Sequence, residues 1–253
     1  MTLRVAMLLG VLLVACGPAA AQQSVPAGLG GVLPDVQSPS GAAVALKWLA
    51  IVTVLSLAPA IIVMVTSFTR IVVVLGLLRQ ALATQQLPPN QVLFALAVLM
   101  TLVVMAPVYQ KVHADAIGPY FTGELSGEAA LAAGETPVRA FCIRQIEAAD
   151  NTAEVYPFLP DEVAAADGLR WADVPTLSMI PAFVVSELKV AFAMGFRIFL
   201  PFLVIDMLVA SVLVSMGMLM LPPVLISLPF KLLLFVLADG WHLVVGSLMQ
   251  SFQ

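Results

Sequence analysis

The chain has 253 residues, of which 61% are hydrophobic and 10% are charged, and its mean hydropathy is +1.05. Soluble proteins carry about 25% charged residues, so this composition excludes an ordinary soluble domain and predicts a polytopic membrane protein. The formal net charge of −4 is too small to suggest a nucleic-acid partner.

Residues 1–21 have the layout of a secretory signal peptide. Arg4 precedes an apolar run, and the run is followed by the small residues Ala19-Ala20-Ala21. Cleavage between Ala21 and Gln22 is therefore predicted. A lipoprotein-type site is the alternative, because Leu13-Val14-Ala15 precedes Cys16 and that cysteine could be lipidated instead.

Cleavage at Ala21 would leave Cys142 as the single thiol, so no intrachain disulfide is expected in the mature chain. Residues 22–43 are rich in Pro, Gly and Ser over most of their length and are interpreted as a flexible leader.

Residues 44–110 are predicted to form a first helical hairpin. The stretch 48–69 has no charge and is long enough to cross a hydrocarbon core, with a kink at Pro59. The helical pattern continues past Arg70 to Arg79, which predicts one helix longer than the bilayer requires. The second helix is predicted over 91–107, after the Pro88-Pro89 turn.

Residues 111–175 differ in character and are predicted to form a small, mainly helical, water-exposed insert. From Lys111 to Asp173 there are eleven acids and four bases, so the negative charge of the chain is concentrated here. The run 138–147 is amphipathic and predicts one short helix of this insert.

Residues 176–253 are predicted to form a second hairpin. Its third helix begins after Pro175 and ends near Val214, with bends or breaks at two internal prolines, Pro181 and Pro201. A turn follows at Gly217 and Pro222-Pro223, and the fourth helix runs over 223–248. The predicted fold class is therefore an all-α polytopic membrane protein with two long kinked hairpins and four transmembrane helices.

The signal peptide predicts that the mature N-terminus lies outside the membrane, and four crossings then leave the insert outside as well. Arg70 and Arg79 flank the first inner turn, as the positive-inside rule expects. The second turn has no Lys or Arg. The topology of the second hairpin is therefore unsupported by charge.

Six charges fall within the second hairpin, where each would cost a few kcal/mol if it faced lipid. Folding the hairpin about residue 218 places Asp206 opposite Lys231 and Arg197 opposite Asp239. Arg197 and Asp206 point to opposite sides of one helix, so a straight hairpin cannot form both pairs. Unless Pro201 rotates the two halves of that helix, at least one of these charges, and Glu187 or Lys189 as well, is predicted to pair with another subunit, which favours an oligomer. The full set is Glu187, Lys189, Arg197, Asp206, Lys231 and Asp239.

Snorkelling to an interface is the alternative interpretation of these charges. It suits Glu187 and Lys189, which lie near one end of the helix, better than Arg197 and Asp206.

The second turn has methionines at alternate positions, Met216, Met218 and Met220, with Leu219 between the last two. Flexible, polarisable thioethers suit a surface that seals and repacks around varied partners. The alternative interpretation is that they fill a gap in the core, which is a common use of methionine.

No constellation of catalytic or metal-binding residues is evident in the sequence. We find no His-Glu-x-x-His, glycine-rich phosphate loop, Gly-x-Ser-x-Gly elbow or cysteine cluster. His113 and His242 are isolated. We therefore expect neither enzymatic activity nor a cofactor.

Two blocks of sequence resemble the FliP family, the P subunit of the flagellar type III protein export gate. The first comprises MVTSFTRIVVVLGLLR at 64–79 and PPNQV at 88–92. The second comprises PAFVVSELK at 181–189, FLPFLVID at 199–206 and LPFKLLLFVLADGW at 228–241. Together they extend over most of residues 44–110 and 174–253.

The resemblance implies a pore-forming subunit of the bacterial inner membrane at the flagellar basal body, which passes unfolded flagellar proteins and has no catalytic activity. It implies a homo-oligomer with the Q and R subunits, in contact with other export and basal-body proteins and with lipid. It also implies that Met218 and Met220, with Met216 nearby, form a gasket across the pore. Leu219 departs from the methionine run of the family.

Two alternative functions stay open. The homologous virulence secretion gate is the nearer one. A signal peptide and an acidic insert of this size resemble the flagellar branch, which is therefore favoured. A transporter of ions or small solutes, with Asp206 and Asp239 as relays, is the more distant one.

Overall fold

The computed structural model describes residues 39–84, 88–164, 168, 170–218 and 220–253. All regular structure in these ranges is helical, which confirms the expected all-α class. The predicted signal peptide, its cleavage site at Ala21 and Gln22, residues 22–38 of the leader, and Leu219 lie outside the described residues. The described chain divides into two units between Leu57 and Ala58, so the boundary lies inside the first helix.

The helices are numbered here in chain order. They are α1 (Pro39–Met64), α2 (Phe68–Ala81), α3 (Asn90–Val112), a π-helical turn (His113–Ile117), α4 (Gly118–Phe121), α5 (Gly127–Ala148), a 3-10 segment (Thr152–Phe158), α6 (Asp161–Ala164), α7 (Thr176–Ser215), α8 (Pro223–Leu237) and α9 (Gly240–Gln250).

Three helical stretches of the described chain are long and apolar enough to cross a membrane. They are Ala42–Met64, Asn90–Phe121 and Thr176–Ser215. The α8 and α9 helices together give a fourth if the bent pair counts as one broken span. This agrees with a polytopic membrane protein of up to four spans.

The prediction of one helix through Arg70 to Arg79 is wrong, because α1 ends at Met64 and α2 begins at Phe68. Thr66 explains the break. Its hydroxyl donates to the carbonyl of Val63 at 3.1 Å and lies 3.4 Å from the amide of Phe68, which can donate to it. Such local bonds offer the backbone an alternative to the helix ladder. The long apolar runs on either side of Thr66 and Ser67 favoured one continuous helix in the sequence.

Two other helices are longer than expected, and a third is continuous where bends or breaks were expected. The second predicted helix, 91–107, extends to Val112 in α3, and the short helix 138–147 is the end of the 22-residue α5. The third predicted helix is the 40-residue α7, which continues through Pro181 and Pro201. Each proline removes one N–H donor from the hydrogen-bond ladder, but α7 continues as one helix through both.

The fourth predicted helix, 223–248, is wrong as a single element. The chain bends by 64° between α8 and α9. Asp239 adopts a left-handed conformation with φ +48° at this break. Gly240 then packs so closely that a Cβ there would lie 2.2 Å from the ring of Phe235.

The α2 helix lies in the core of the second unit and packs against α7 and α3. Its buried residues recur at helical spacing and form one apolar stripe, Ile71, Val74, Leu75, Leu78 and Ala81. Residues of α3, α7, α8 and α9 complete this cluster, among them Ala97, Ala191, Phe235 and Leu248.

The insert has its own cluster of buried residues, in which α5 packs against α3 and α7. Arg139 of α5 connects this cluster by hydrogen bonds to the start of α7. Its guanidinium donates to the hydroxyl of Thr176 at 2.7 Å, to the carbonyl of Trp171 at 2.5 Å and to the carbonyl of Val174. The insert is therefore fixed to the beginning of the longest apolar helix.

Candidate functional site

Arg70 lies at the first turn of α2 and is almost completely buried, with 2% of its surface exposed. Its Nε donates to Glu187 Oε2 at 2.8 Å and its Nη2 donates to Glu187 Oε1 at 2.5 Å. This is the two-pronged geometry in which a guanidinium matches a carboxylate. Glu187 belongs to α7 and is fully buried, so the pair joins α2 to α7.

The remaining donors of Arg70 bind two further segments. Its Nη1 donates to the carbonyl of Ser251 at 2.7 Å and to the hydroxyl of that residue at 3.1 Å. Its Nη2 also donates to Gln145 Oε1 of α5 at 3.0 Å, and the ring of Phe252 lies 4.1 Å from the guanidinium carbon. All five N–H groups therefore have an acceptor, which a buried charge requires.

Sequence reasoning placed Arg70 beside the first inner turn and missed this buried role. The signal that could have shown its burial is the spacing. Arg70 lies one position before Ile71 and four before Val74, on the edge of the buried stripe of α2.

A second buried cation lies at the other end of α2. Lys231 of α8 is 2% exposed, and its Nζ donates to Asp206 Oδ2 at 2.6 Å and to the carbonyl of Ala81 at 3.2 Å. Ser227 donates to the other oxygen of Asp206 at 2.5 Å. Since Ala81 is the last residue of α2, the ammonium group neutralises the negative end of the helix dipole.

The two buried cations together fix α2 at both of its ends. Arg70 connects its N-terminus to α5, α7 and the segment after α9, while Lys231 connects its C-terminus to α7 and α8. The helix is about 21 Å long at 1.5 Å per residue. We name these sites the Arg70 centre and the Lys231 centre.

The other three predicted charges, Lys189, Arg197 and Asp239, are exposed. Lys189 pairs with Glu154 of the 3-10 segment at 2.9 Å, and the lysine side chain is 61% exposed. Arg197 and Asp239 are both exposed and form no ion pair with the described residues of this chain. The hairpin register places Arg197 opposite Asp239, but the chain bends by 64° at Asp239 and the two residues do not pair within this chain.

The methionine turn, which we define as residues 216–220, lies between α7 and α8. Gly217 has φ +72°, its amide donates to the carbonyl of Val214, and the amide of Met218 donates to the carbonyl of Leu213. This is the Schellman motif, in which a left-handed glycine ends a helix. Met216, Met218 and Met220 are 66%, 39% and 96% exposed, so they do not fill the core of this chain.

Cys142 of α5 is fully buried. Burial, with a smaller contribution from Glu187, raises the pKa of its thiol to about 12. The thiol is therefore protonated at neutral pH and is a packing group of the insert core. No group of three or more His, Cys, Asp or Glu in the described ranges has the arrangement of a metal site.

Comparison with known proteins gives consistent matches. The model of the FliP family matches residues 51–248. A flagellar biosynthetic protein FliP of Bacillus subtilis (strain 168) is 47% identical over 214 residues, covering 85% of this chain and 95% of the relative. Those of Caulobacter vibrioides and Aquifex aeolicus are 50% and 46% identical, covering 80% and 82% of this chain, and 74% and 86% of the relatives.

The chain belongs to the FliP family. The match to that family spans Arg70, Glu187, Asp206, Lys231 and the methionine turn. Both buried charge centres therefore lie inside the FliP region, except for Ser251 and Phe252, which follow it.

Proposed function

We propose that this FliP family member is a pore-forming subunit of the flagellar type III protein export gate in the inner membrane. It assembles with copies of itself and with the Q and R subunits, contacts other export and basal-body proteins, and passes unfolded flagellar proteins. The 111–175 insert lies in the periplasm. The names of the relatives support a role in flagellar biosynthesis, and the proposal assigns no catalytic step to the chain.

The exposed methionines are the observation that carries this proposal. Three unbranched thioethers follow the end of a 40-residue helix and are exposed within the chain, from 39% at Met218 to 96% at Met220. In a gate they would close against the same turn of neighbouring subunits. Thioethers change rotamer at little cost in packing, so such a ring could seal when empty and open around varied chains.

The exposed charges Arg197 and Asp239 support assembly. Each lies in an apolar setting, with Phe196 beside the arginine and Leu237 near the aspartate exposed by 64% and 75%. A charge presented to hydrocarbon costs a few kcal/mol. Contact with another subunit would remove that cost for both residues.

We expect the chain to purify as a homo-oligomer with co-expressed Q and R subunits, and the mass of the complex measures this. Arg197→Glu should reduce the yield of the complex, since it reverses a charge that the assembly neutralises. Arg170→Glu is the matched control, because Arg170 is an exposed insert residue. A chain that remains monomeric beside both partners would contradict the proposal.

We expect replacement of Met216, Met218 and Met220 together by Ala to leave the complex assembled but leaky. The turn contributes little buried area within the chain, whereas loss of three thioethers would open the seal. Replacement by Leu should leak less and slow export, since branched side chains adapt less readily. Growth, small-molecule uptake and secretion of a flagellar substrate are the measurements.

Met207→Ala is the control for this series, because Met207 is a 64% exposed methionine on α7 outside the turn. It should neither leak nor slow secretion. A triple alanine variant that assembles, secretes and remains tight would show that the seal lies elsewhere.

A further inference from the structure

A groove beside the insert end of α3 brings together two cations that no carboxylate neutralises. It has a volume of about 410 Å³ and is lined by Lys111 of α3 and Arg144 of α5. The rest of its lining is apolar, and includes Pro107, Val108, Pro137 and Ile143. No Asp or Glu side chain lines it, although the insert is the acidic part of the chain.

Both cations are free of ion pairs with the described residues. The insert has four bases, of which Arg139 is bound to Trp171, Val174 and Thr176. Lys111 and Arg144 are exposed and have no ion-pair partner in the described ranges. Two unneutralised positive charges in an acidic domain therefore face one cavity.

The length of the uncharged part of α3 matches the thickness of a hydrocarbon core. No charged residue occurs from Asn90 to Gln110, and Asn90 to Lys111 spans about 31 Å along a helix, close to the thickness of a hydrocarbon core. If α3 crosses the membrane from Asn90, Lys111 emerges at the headgroup level of the opposite leaflet.

An apolar stripe leads to the groove along the surface of α3. Leu99 and Val103 are 61% and 62% exposed, and with Pro107 and Lys111 they recur at intervals of four residues on one helix face. A second cavity of about 370 Å³ shares Pro107, Val108 and Arg144 with the first and reaches Val104. An acyl chain along this stripe would place its phosphate beside Lys111.

We propose that this groove binds an anionic phospholipid, with the headgroup phosphate between Lys111 and Arg144 and the acyl chains along α3. The inference is independent of the proposed export function, because it needs only the chain and a bilayer. Basic pockets beside transmembrane helices recognise headgroups by this charge complementarity.

Native mass spectrometry of the full chain in neutral detergent tests the proposal, with phosphatidylglycerol and phosphatidylcholine of equal acyl chains as probes. We expect phosphatidylglycerol to be retained at least about 10-fold better, since each basic contact near a membrane surface contributes to binding. Lys111→Gln with Arg144→Gln should abolish this preference. Lys111→Arg with Arg144→Lys should keep it.

Lys47→Gln with Arg170→Gln is the matched control, because it removes one exposed lysine and one exposed arginine that line neither cavity. It should bind lipid as the unchanged chain does. Excess inorganic phosphate should leave phosphatidylglycerol bound. Equal retention of the two lipids, an unchanged preference in the double Gln variant, or displacement by inorganic phosphate would each overturn the proposal.

Discussion

Replacing Arg70 by Ala is expected to lower the free energy of unfolding by about 3–5 kcal/mol, the usual cost of breaking a buried ion pair from one side. Glu187 would stay fully buried with its carboxylate unpaired, and Gln145 and the carbonyl of Ser251 would each lose a donor. Unfolding of the purified chain in mixed micelles measures the loss.

Arg70→Lys should recover only a small part of this stability. An ammonium group has three donors and cannot form the two-pronged contact with Glu187 that the guanidinium makes. Lys189→Ala is the matched control, since it also breaks an ion pair of α7, but one whose lysine is 61% exposed. Exposed pairs contribute about 0–1 kcal/mol. Equal losses for Arg70→Ala and Lys189→Ala would contradict the structural role of the Arg70 centre.

Lys231→Glu is expected to abolish assembly of the export complex. The new carboxylate would lie beside Asp206 and the carbonyl of Ala81, which now accept hydrogen bonds from the ammonium group at 2.6 and 3.2 Å. Two like charges in a site of low dielectric repel strongly. The amount of complex recovered with co-expressed partner subunits measures the effect.

A compensating Asp206→Lys change should partly restore assembly, because it recreates one acid and one base in the same hairpin. Glu187→Lys should not restore assembly, because Glu187 is fully buried against Arg70 of the same chain and a lysine there would face that guanidinium. Lys189→Glu is the control reversal at an exposed site. If Lys231→Glu alone assembles normally, the complex does not require the Lys231 centre.

The sequence by itself determined the all-helical class, because apolar runs without charge at 48–69 and 91–107 are long enough for membrane helices. It also gave the positions of proline and glycine turns, such as Gly217, where a left-handed residue ends α7. These features are local: they depend on a few neighbouring residues and can be recognised in the sequence without knowledge of the fold. The helix breaks at 65–67 and 238–239 were missed, although Thr66, Ser67 and Asp239 are polar, because the apolar runs on either side favour one continuous helix.

Only the tertiary structure decided which charges meet. Hairpin register places Asp206 opposite Lys231, and those groups do lie 2.6 Å apart. The partner of Glu187, however, is Arg70, which is 117 residues away in sequence. No periodicity links residues on separate elements, because their contact depends on how α2 packs between α3 and α7. The burial that makes this pair costly to break is therefore a property of the packed helices.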